Sequence, residues 1–140
     1  MRITTMSVMI AAGILFFATG VGAQIKDGLW EFTTQVQMQG IPQPMPPATF
    51  RQCITKEDPV VKDQDKNHSC KTTRLKISGN TVSYAIDCQT PEGTMSSEGK
   101  NTYTGSTMAG EATTRFKMKG QPAMQMKSRM KGKYIGPCPK

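Results

Sequence analysis

The chain has 140 residues and a net charge of +8, from 18 lysines and arginines against 10 acidic residues. This length suffices for one small domain and excludes a multidomain protein. The positive charge favours contact with anionic surfaces or acidic partners.

The first 23 residues contain one early arginine and an apolar run that closes on Val21-Gly22-Ala23. Small residues at the last and third-last positions suit a signal peptidase, so we predict a signal peptide over residues 1–23 and a single β domain over 24–140. The run is short for a membrane span, and no transmembrane segment is expected after cleavage. A lipid anchor would need a cysteine after the cut, where Gln24 stands.

All four cysteines, Cys53, Cys70, Cys88 and Cys138, lie in the predicted mature part. An even number of cysteines in a small exported domain predicts two disulfides. No CxxC pair occurs, which disfavours a cysteine metal site. The expected localisation is therefore periplasmic or secreted.

Alternating polar and apolar residues dominate the mature part and predict antiparallel strands with one solvated face. In GLWEFTTQVQM, Trp30, Phe32, Val36 and Met38 share one face, with Trp30 as the anchor. A shorter strand, ATFRQCI, carries Phe50 and Cys53. After it, the Thr55–Asp58 spacing resembles a capping box and predicts one short helical turn.

The stretch between these strands, QMQGIPQPMPPATFRQC, holds four prolines and two methionines. Proline has no N–H to donate, so the stretch cannot lie inside a sheet. We interpret it as a stiff, polyproline-like strut leading to Cys53, with its methionines tucked beneath it. A soft-metal site at Met38 and Met45 is the alternative, since thioethers favour Cu(I), although two thioethers make a weak site.

Three hairpins follow in the sequence. A Gly79-Asn80 turn sets Ile77 opposite Val82 and Leu75 opposite Tyr84. A Gly105-Ser106 turn sets Tyr103 opposite Met108 and Gly99 opposite Ala112. A three-residue loop, Gly120-Gln121-Pro122, sets Met118 opposite Met124 and Phe116 opposite Met126. Each register pairs inward residues with inward residues, as a real meander should.

The predicted fold is all-β: an up-and-down antiparallel meander of about seven strands, forming a curved sheet or small barrel. Cys70 and Cys88 flank one hairpin and should lie at the same end of the sheet. Cys138 follows the last strand, at the opposite end, which leaves Cys53 as its partner. The Gly79-Asn80 turn sets Cys88 opposite Lys71, so a β-bulge near Cys70 is also required.

The motifs GLWE at 28–31, MQGIPQPMPP, QC at 52–53 and the ending KYIGPCP carry a family resemblance. With the Cys70–Cys88 spacing, they resemble an exported bacterial family catalogued as domain of unknown function 3617. The resemblance spans nearly the whole mature chain. It implies an exported, cysteine-paired domain. It assigns no activity to the chain. Tyr134 stands where the family tends to have a tryptophan.

Candidate catalytic groups are few. His68 stands beside Ser69 and Cys70, but a nucleophilic Cys–His pair would need a free thiol, which we assign to a disulfide. The aspartates Asp58, Asp63 and Asp65 lack the glycine-containing loop of a calcium site. We expect no enzyme activity and no cofactor.

Eight of the eleven methionines lie in the mature part. Met118, Met124, Met126 and Met130 share a face with Phe116, which favours a core stripe over a metal site. The same inward face carries Gly99, Gly110 and Ala112. Small residues there allow either close approach of another element or a cavity for a small apolar ligand.

The outward face of the last hairpin carries seven cations with no acid among them: Arg115, Lys117, Lys119, Lys127, Arg129, Lys131 and Lys133. We interpret these residues as a contact for an anionic envelope component or an acidic protein, against the alternative of a solvated surface. Nucleic acid is not an expected partner, because no aromatic residues interleave with the cations. The expected function is non-enzymatic binding through this face, with copper binding and an apolar-ligand carrier as alternatives.

Overall fold

The computed structural model describes residues 25–140, so the predicted signal peptide lies outside the described residues. Within these residues, no helix is long and apolar enough to cross a membrane. Seven strands form one sheet: β1 Gly28–Met38, β2 Ala48–Ile54, β3 Ser69–Ser78, β4 Thr81–Thr90, β5 Gly93–Thr104, β6 Thr107–Met118 and β7 Met124–Gly136.

The strands are antiparallel in the order β2-β1-β7-β6-β5-β4-β3, and the sheet curls into a half-barrel. The all-β prediction and the strand number are confirmed. Strands β3 to β7 follow one another as a meander, while β1 inserts between β2 and β7. The two edges of the sheet are therefore β2 and β3, which are consecutive in the chain and are joined by residues 55–68.

Two of the three predicted hairpin registers are confirmed. Ile77 faces Val82, and Tyr103 faces Met108, across turns in which Gly79 and Gly105 each have a φ of 60°. The third register is wrong by two residues, because Phe116 faces Met124. Residues 119–123 form a longer connection than the predicted loop. Since the error is even, every side chain keeps its predicted face.

The hydrophobic core lies at one end of the half-barrel, which we call the closed end. It is built on Trp30 and Phe32 of β1, Val82 of β4, Tyr103 of β5 and Met108 of β6, all at most 3% exposed. The Trp30 ring lies 5.3 Å from the Tyr103 ring in an edge-on arrangement, and its indole N–H donates to the Lys26 carbonyl at 2.9 Å. The other end, reached by the last hairpin and the proline-rich loop, is the open end.

Residues 59–64, which we call the strap, cross the concave face of the sheet. The Tyr103 hydroxyl donates to the Pro59 carbonyl at 2.7 Å. The Gln52 amide donates to the Val60 carbonyl at 3.1 Å and accepts from the Lys62 N–H at 2.9 Å. Val60 and Val61 are thereby buried in the core.

The predicted helical turn before the strap is wrong. The Asp58 N–H donates to the Thr55 hydroxyl at 3.0 Å, as in a cap, but residues 55–58 form a bend and no helix follows. Pro59 and the buried strap continue the chain in an extended conformation, because the core recruits Val60 and Val61. The local capping signal is present without the helix it usually precedes.

Both predicted disulfides are confirmed, Cys53–Cys138 and Cys70–Cys88. The expected bulge is present as well: the β3–β4 register shifts between Thr72 and Arg74, which brings Cys70 opposite Cys88. The Cys53–Cys138 bridge was predicted by elimination, whereas the structure gives a direct geometric reason for it. Cys53 and Gly136 both pair with Leu29 of β1, so the bridge spans β1 from its two neighbouring strands.

Candidate functional site

A groove runs along the concave face from the closed end to the open end. It has a volume of about 390 Å³, and its apolar lining comes from both sides of the half-barrel and from the strap. The lining apolar residues are Val36, Ala48, Phe50, Val61, Tyr84, Ile86, Met95, Ala112, Met126 and Met130. Ligand pockets span about 300–1,000 Å³, so the groove suits a small ligand.

Small side chains make the floor of the groove. One row across the sheet places Tyr84 beside Gly99, Ala112, Ser128 and Val36 in register. A Cβ atom at Gly99 would overlap the Tyr84 hydroxyl and ring, so the missing side chain lets the ring lie over the neighbouring strand. The predicted run of small inward residues therefore leaves space beyond Tyr84 rather than admitting another strand.

The groove floor also carries polar atoms. Ser97 and Thr114 share a hydrogen bond between their hydroxyls at 2.6 Å. By contrast, the buried Thr34 Oγ1 and Asn101 Nδ2 have no hydrogen-bond partner within residues 25–140. The hydroxyl of Tyr84 likewise makes no hydrogen bond to a described residue, and burial raises the pKa of this group. Thr34 and Tyr84 belong to the groove lining, which also includes the polar strap residues Lys62, Asp63 and Gln64.

The methionine stripe lies on the concave face, but most of it is not core. Met130 is half-buried and packs against the core cluster, whereas Met124 is 41% exposed. Met118 and Met126 are half-buried at the open end. The expectation of a buried stripe is therefore wrong for Met124. The face predicted for the methionine stripe is correct. The burial of each methionine depends on which part of that face is covered.

The proline-rich connection, residues 39–47, is exposed throughout. Met45 is 47% exposed, so the expectation that it tucks under the loop is wrong. Its N–H donates to the Val36 carbonyl at 2.9 Å, which ties the loop to β1. Met38 is half-buried and faces Met126 across β1 and β7. The soft-metal site at Met38 and Met45 stays a prediction.

His68 closes the loop that follows the strap. Its Nδ1 lies 2.7 Å from Asp63 Oδ2, and its Nε2 lies 3.5 Å from Asp65 Oδ2. The hydrogen bond to Asp63 raises the pKa of His68. Cys70, two residues further on, is bonded to Cys88 and offers no free thiol. The group Asp63, Cys70 and Cys88 lies within 4.8 Å, but its sulfurs are bonded to each other and supply no thiolate ligand.

The predicted basic residues lie where the alternation places them, with one exception. Lys127, Arg129, Lys131 and Lys133 alternate along the outer face of β7, and Arg115 and Lys117 do so on β6. Lys119 lies in the turn beyond β6. All seven are exposed.

Acidic residues enter this outer face from neighbouring strands. Glu31 of β1 binds Lys133 at 3.2 Å and Arg51 at 3.1 Å, and Lys133, followed by Arg51, lowers the pKa of Glu31. Glu111 faces Arg129 in register. The expected acid-free face is therefore wrong, because Glu111 lies on β6 within the hairpin itself and Glu31 lies on the adjacent β1. Lys127, Arg129 and Lys131, which we call the basic row, form no ion pair with residues 25–140.

Sequence reasoning missed the strap and the polar floor of the groove. The strap residues Pro59 and Val60 stand between charged residues, and the sequence pattern assigned them to no element. The adjacent valines were the available signal, since two consecutive branched apolar residues rarely occur in a fully exposed loop. Thr34 and Asn101 carried no signal, because their burial depends on strands that meet only in the folded sheet.

A family model described as "Protein of unknown function (DUF3617)" matches residues 25–138. No curated protein and no solved structure matches the chain. The matched range includes every strand, the strap and both disulfides.

Proposed function

The chain belongs to the DUF3617 family of proteins of unknown function, and we propose that it is a non-enzymatic binding protein that holds a small, mainly apolar ligand in its groove. The observation that carries the proposal is the unequal covering of one apolar face. At the closed end the face is sealed by the strap and the aromatic core, while towards the open end it lines a groove of about 390 Å³.

The exposure of the lining residues supports this function. A folding core alone has no need for half-exposed Met126 and Ile86, because apolar surface left in water adds nothing to stability. Methionine is also suited to a ligand surface, since its unbranched chain adapts to different shapes. The two disulfides support the further proposal that the protein is exported to an oxidising compartment, the periplasm or the cell exterior.

Binding of the apolar fluorophore N-phenyl-1-naphthylamine tests the groove directly. We expect saturable fluorescence enhancement with the purified mature protein and weaker binding by Ser128→Leu, which fills the floor. The matched control is Thr113→Leu on the neighbouring strand, since Thr113 faces Lys127 on the outer surface. No saturable binding by the wild type, or equal loss in both variants, would reject the groove as the binding site.

The basic row supports a second candidate function, contact with an anionic envelope surface. Its three cations project from one strand and form no ion pair within the described residues, although Glu111 faces Arg129 in register. Such an exposed row attracts anions over a distance limited by the Debye length, about 8 Å at physiological ionic strength. The soluble half-barrel could thereby be brought to the surface where its ligand resides.

Vesicle sedimentation tests this second function. The wild type should bind vesicles of phosphatidylglycerol and should not bind vesicles of phosphatidylcholine. It should dissociate from the anionic vesicles as salt is added. Replacing Lys127, Arg129 and Lys131 by Gln should weaken binding. The charge-matched control replaces Lys71, Arg74 and Lys76 of β3 by Gln. Equal loss in the two triple variants would reduce the effect to net charge and leave the basic row as ordinary solvated surface.

A further inference from the structure

The two buried polar atoms without partners lie in one row of the sheet. In register, Asn101 of β5 faces Gly110 of β6, Gly110 faces Met130 of β7, and Met130 faces Thr34 of β1. A Cβ atom at Gly110 would overlap the Asn101 Oδ1, so the carboxamide of this residue lies over β6. The row marks the boundary between the closed-end core and the groove.

Because these two atoms are buried without partners, they lower the stability of the fold. Asn101 is 1% exposed, and neither its Nδ2 nor the Thr34 Oγ1 has a partner within residues 25–140. A buried donor without a partner destabilises a fold, because the donor has lost its hydrogen bonds to water. A threonine and an asparagine in this row therefore destabilise the empty fold, and valine or leucine would pack there without that cost. Such an exception calls for an explanation, and a ligand that supplies the missing partner is one.

The Tyr84 hydroxyl is a further donor in the lining of the groove. Tyr84 is 6% exposed, lies one row towards the open end, and extends over Gly99 towards Ala112. Its hydroxyl, like the other two groups, can donate a hydrogen bond. The cations of β6 and β7 lie on the outer face, whereas Lys62 and Asp63 of the strap belong to the groove lining. The three donors themselves are uncharged.

Resting on the proposed groove function, we propose that the ligand is an alkyl chain ending in a carbonyl-type acceptor, a fatty acid or an acyl ester. The acceptor group lies at the inner end, where Thr34 and Tyr84 line the groove and where Asn101 shares the row of Thr34. The alkyl chain lies along the groove between Phe50 and Ile86 towards Met126.

Met130 is the side chain that admits the acceptor. It lies between Asn101 and Thr34 in the row, is half-buried, and belongs to the groove lining. Methionine has three rotatable side-chain bonds and changes rotamer readily. A rotation of Met130 exposes both donors to the groove while the backbone of the sheet stays unchanged.

The test compares two acceptor probes with one probe that lacks an acceptor. Decanoate and methyl decanoate are titrated by calorimetry, and N-phenyl-1-naphthylamine by fluorescence, against wild type, Thr34→Val and Tyr84→Phe. Each variant removes one hydroxyl and keeps the shape. A net hydrogen bond contributes enough that each variant should bind the acceptor probes about two- to tenfold more weakly. Binding of N-phenyl-1-naphthylamine should not change.

The outcomes separate the two proposals. Failure of the wild type to bind any probe rejects the groove function and this inference with it. Binding of all probes with equal affinities in wild type and both variants keeps the groove and overturns the acceptor site, leaving the donors to water. Loss of decanoate binding alone assigns a carboxylate, whereas parallel loss with methyl decanoate assigns the carbonyl oxygen. Ser96→Ala, an outward hydroxyl on β5, is the matched control and should change nothing.

Discussion

The closed and open ends of the half-barrel are made from the same strands with the same alternation, yet their inward residues are buried to different extents. At the closed end, inward residues such as Trp30 and Phe32 are fully buried. At the open end, inward residues such as Met124 and Met126 remain exposed or half-buried. The difference comes from the strap, which covers one end only. An apolar stripe thus marks a face, and a covering element decides whether that face becomes core or binding surface.

The largest expected contrast between the ends is in stability. Trp30→Ala should lower the free energy of unfolding by about 3–5 kcal/mol, as aromatic core truncations do. Met126→Ala should lower it by only about 1 kcal/mol, because the side chain is half exposed. Chemical denaturation of the two variants beside the wild type measures both. Similar losses would mean that the open end is as much a core as the closed end.

The two buried tyrosines sharpen the contrast. The Tyr103 hydroxyl donates to the Pro59 carbonyl and holds the strap, while the Tyr84 hydroxyl has no partner among the described residues. Tyr103→Phe should therefore cost about 1–3 kcal/mol through the unpaired carbonyl, and Tyr84→Phe should be nearly neutral. Thermal melts monitored by circular dichroism distinguish them. A neutral Tyr103→Phe would show that the strap is held by Val60 and Val61 alone.

The two disulfides lie at opposite ends of the half-barrel and differ in the length of chain that each one closes. Cys53–Cys138 closes 85 residues and Cys70–Cys88 closes 18. Loop-closure entropy predicts that the longer bridge contributes about 1.4 kcal/mol more to stability. The measurement is urea denaturation of the two double Cys→Ser variants. If the Cys70–Cys88 variant were the less stable one, the bulge region of β3 would be contributing more than its loop length allows.

The smallest expected effect is a pH dependence at the loop that follows the strap. Asp63 raises the pKa of His68 above its ordinary value of about 6.5, with Asp65 and Glu92 adding to the effect. The ion pair therefore contributes its full stability below about pH 6.5, and that contribution is lost as the pH rises through the raised pKa. His68→Gln should remove this part of the pH profile of the melting temperature. An unchanged profile in His68→Gln would place the titrating group elsewhere.

Much of the fold was predictable because local signals dominate it. Glycine at position 79 or 105 permits the positive φ of a two-residue turn, and the alternation around each turn sets the register. The Cys70–Cys88 bulge was predictable from the mismatch between turn and cysteine positions. The third hairpin had no such constraint, since Gly120 can serve connections of more than one length. Its register was decided by pairing with β1 and β5 as well.

The candidate site was predictable only in part. The small residues Gly99 and Ala112 pointed to a space on the inward face; Ala112 lines the groove, whereas the Tyr84 ring covers Gly99. The ion pair of Lys133 was not predictable from the last hairpin alone, because Glu31 reaches it from a strand more than a hundred residues earlier in the chain. The strap was hidden for the same reason, since Tyr103 and Gln52 hold it from distant strands.

The sequence by itself determined which residues form strands, which face each side chain takes and which cysteines pair, because these follow from neighbours one to a few residues apart or from a small set of alternatives. Tertiary structure alone decided that β1 lies between β2 and β7 and that the strap seals one end. It also decided that Thr34 and Asn101 lie in one row of the sheet. The physical reason is that burial is a property of the assembled surface. A threonine or a methionine has the same alternation whether it faces packed side chains or an open groove, and only the long-range pairing of strands and strap separates the two.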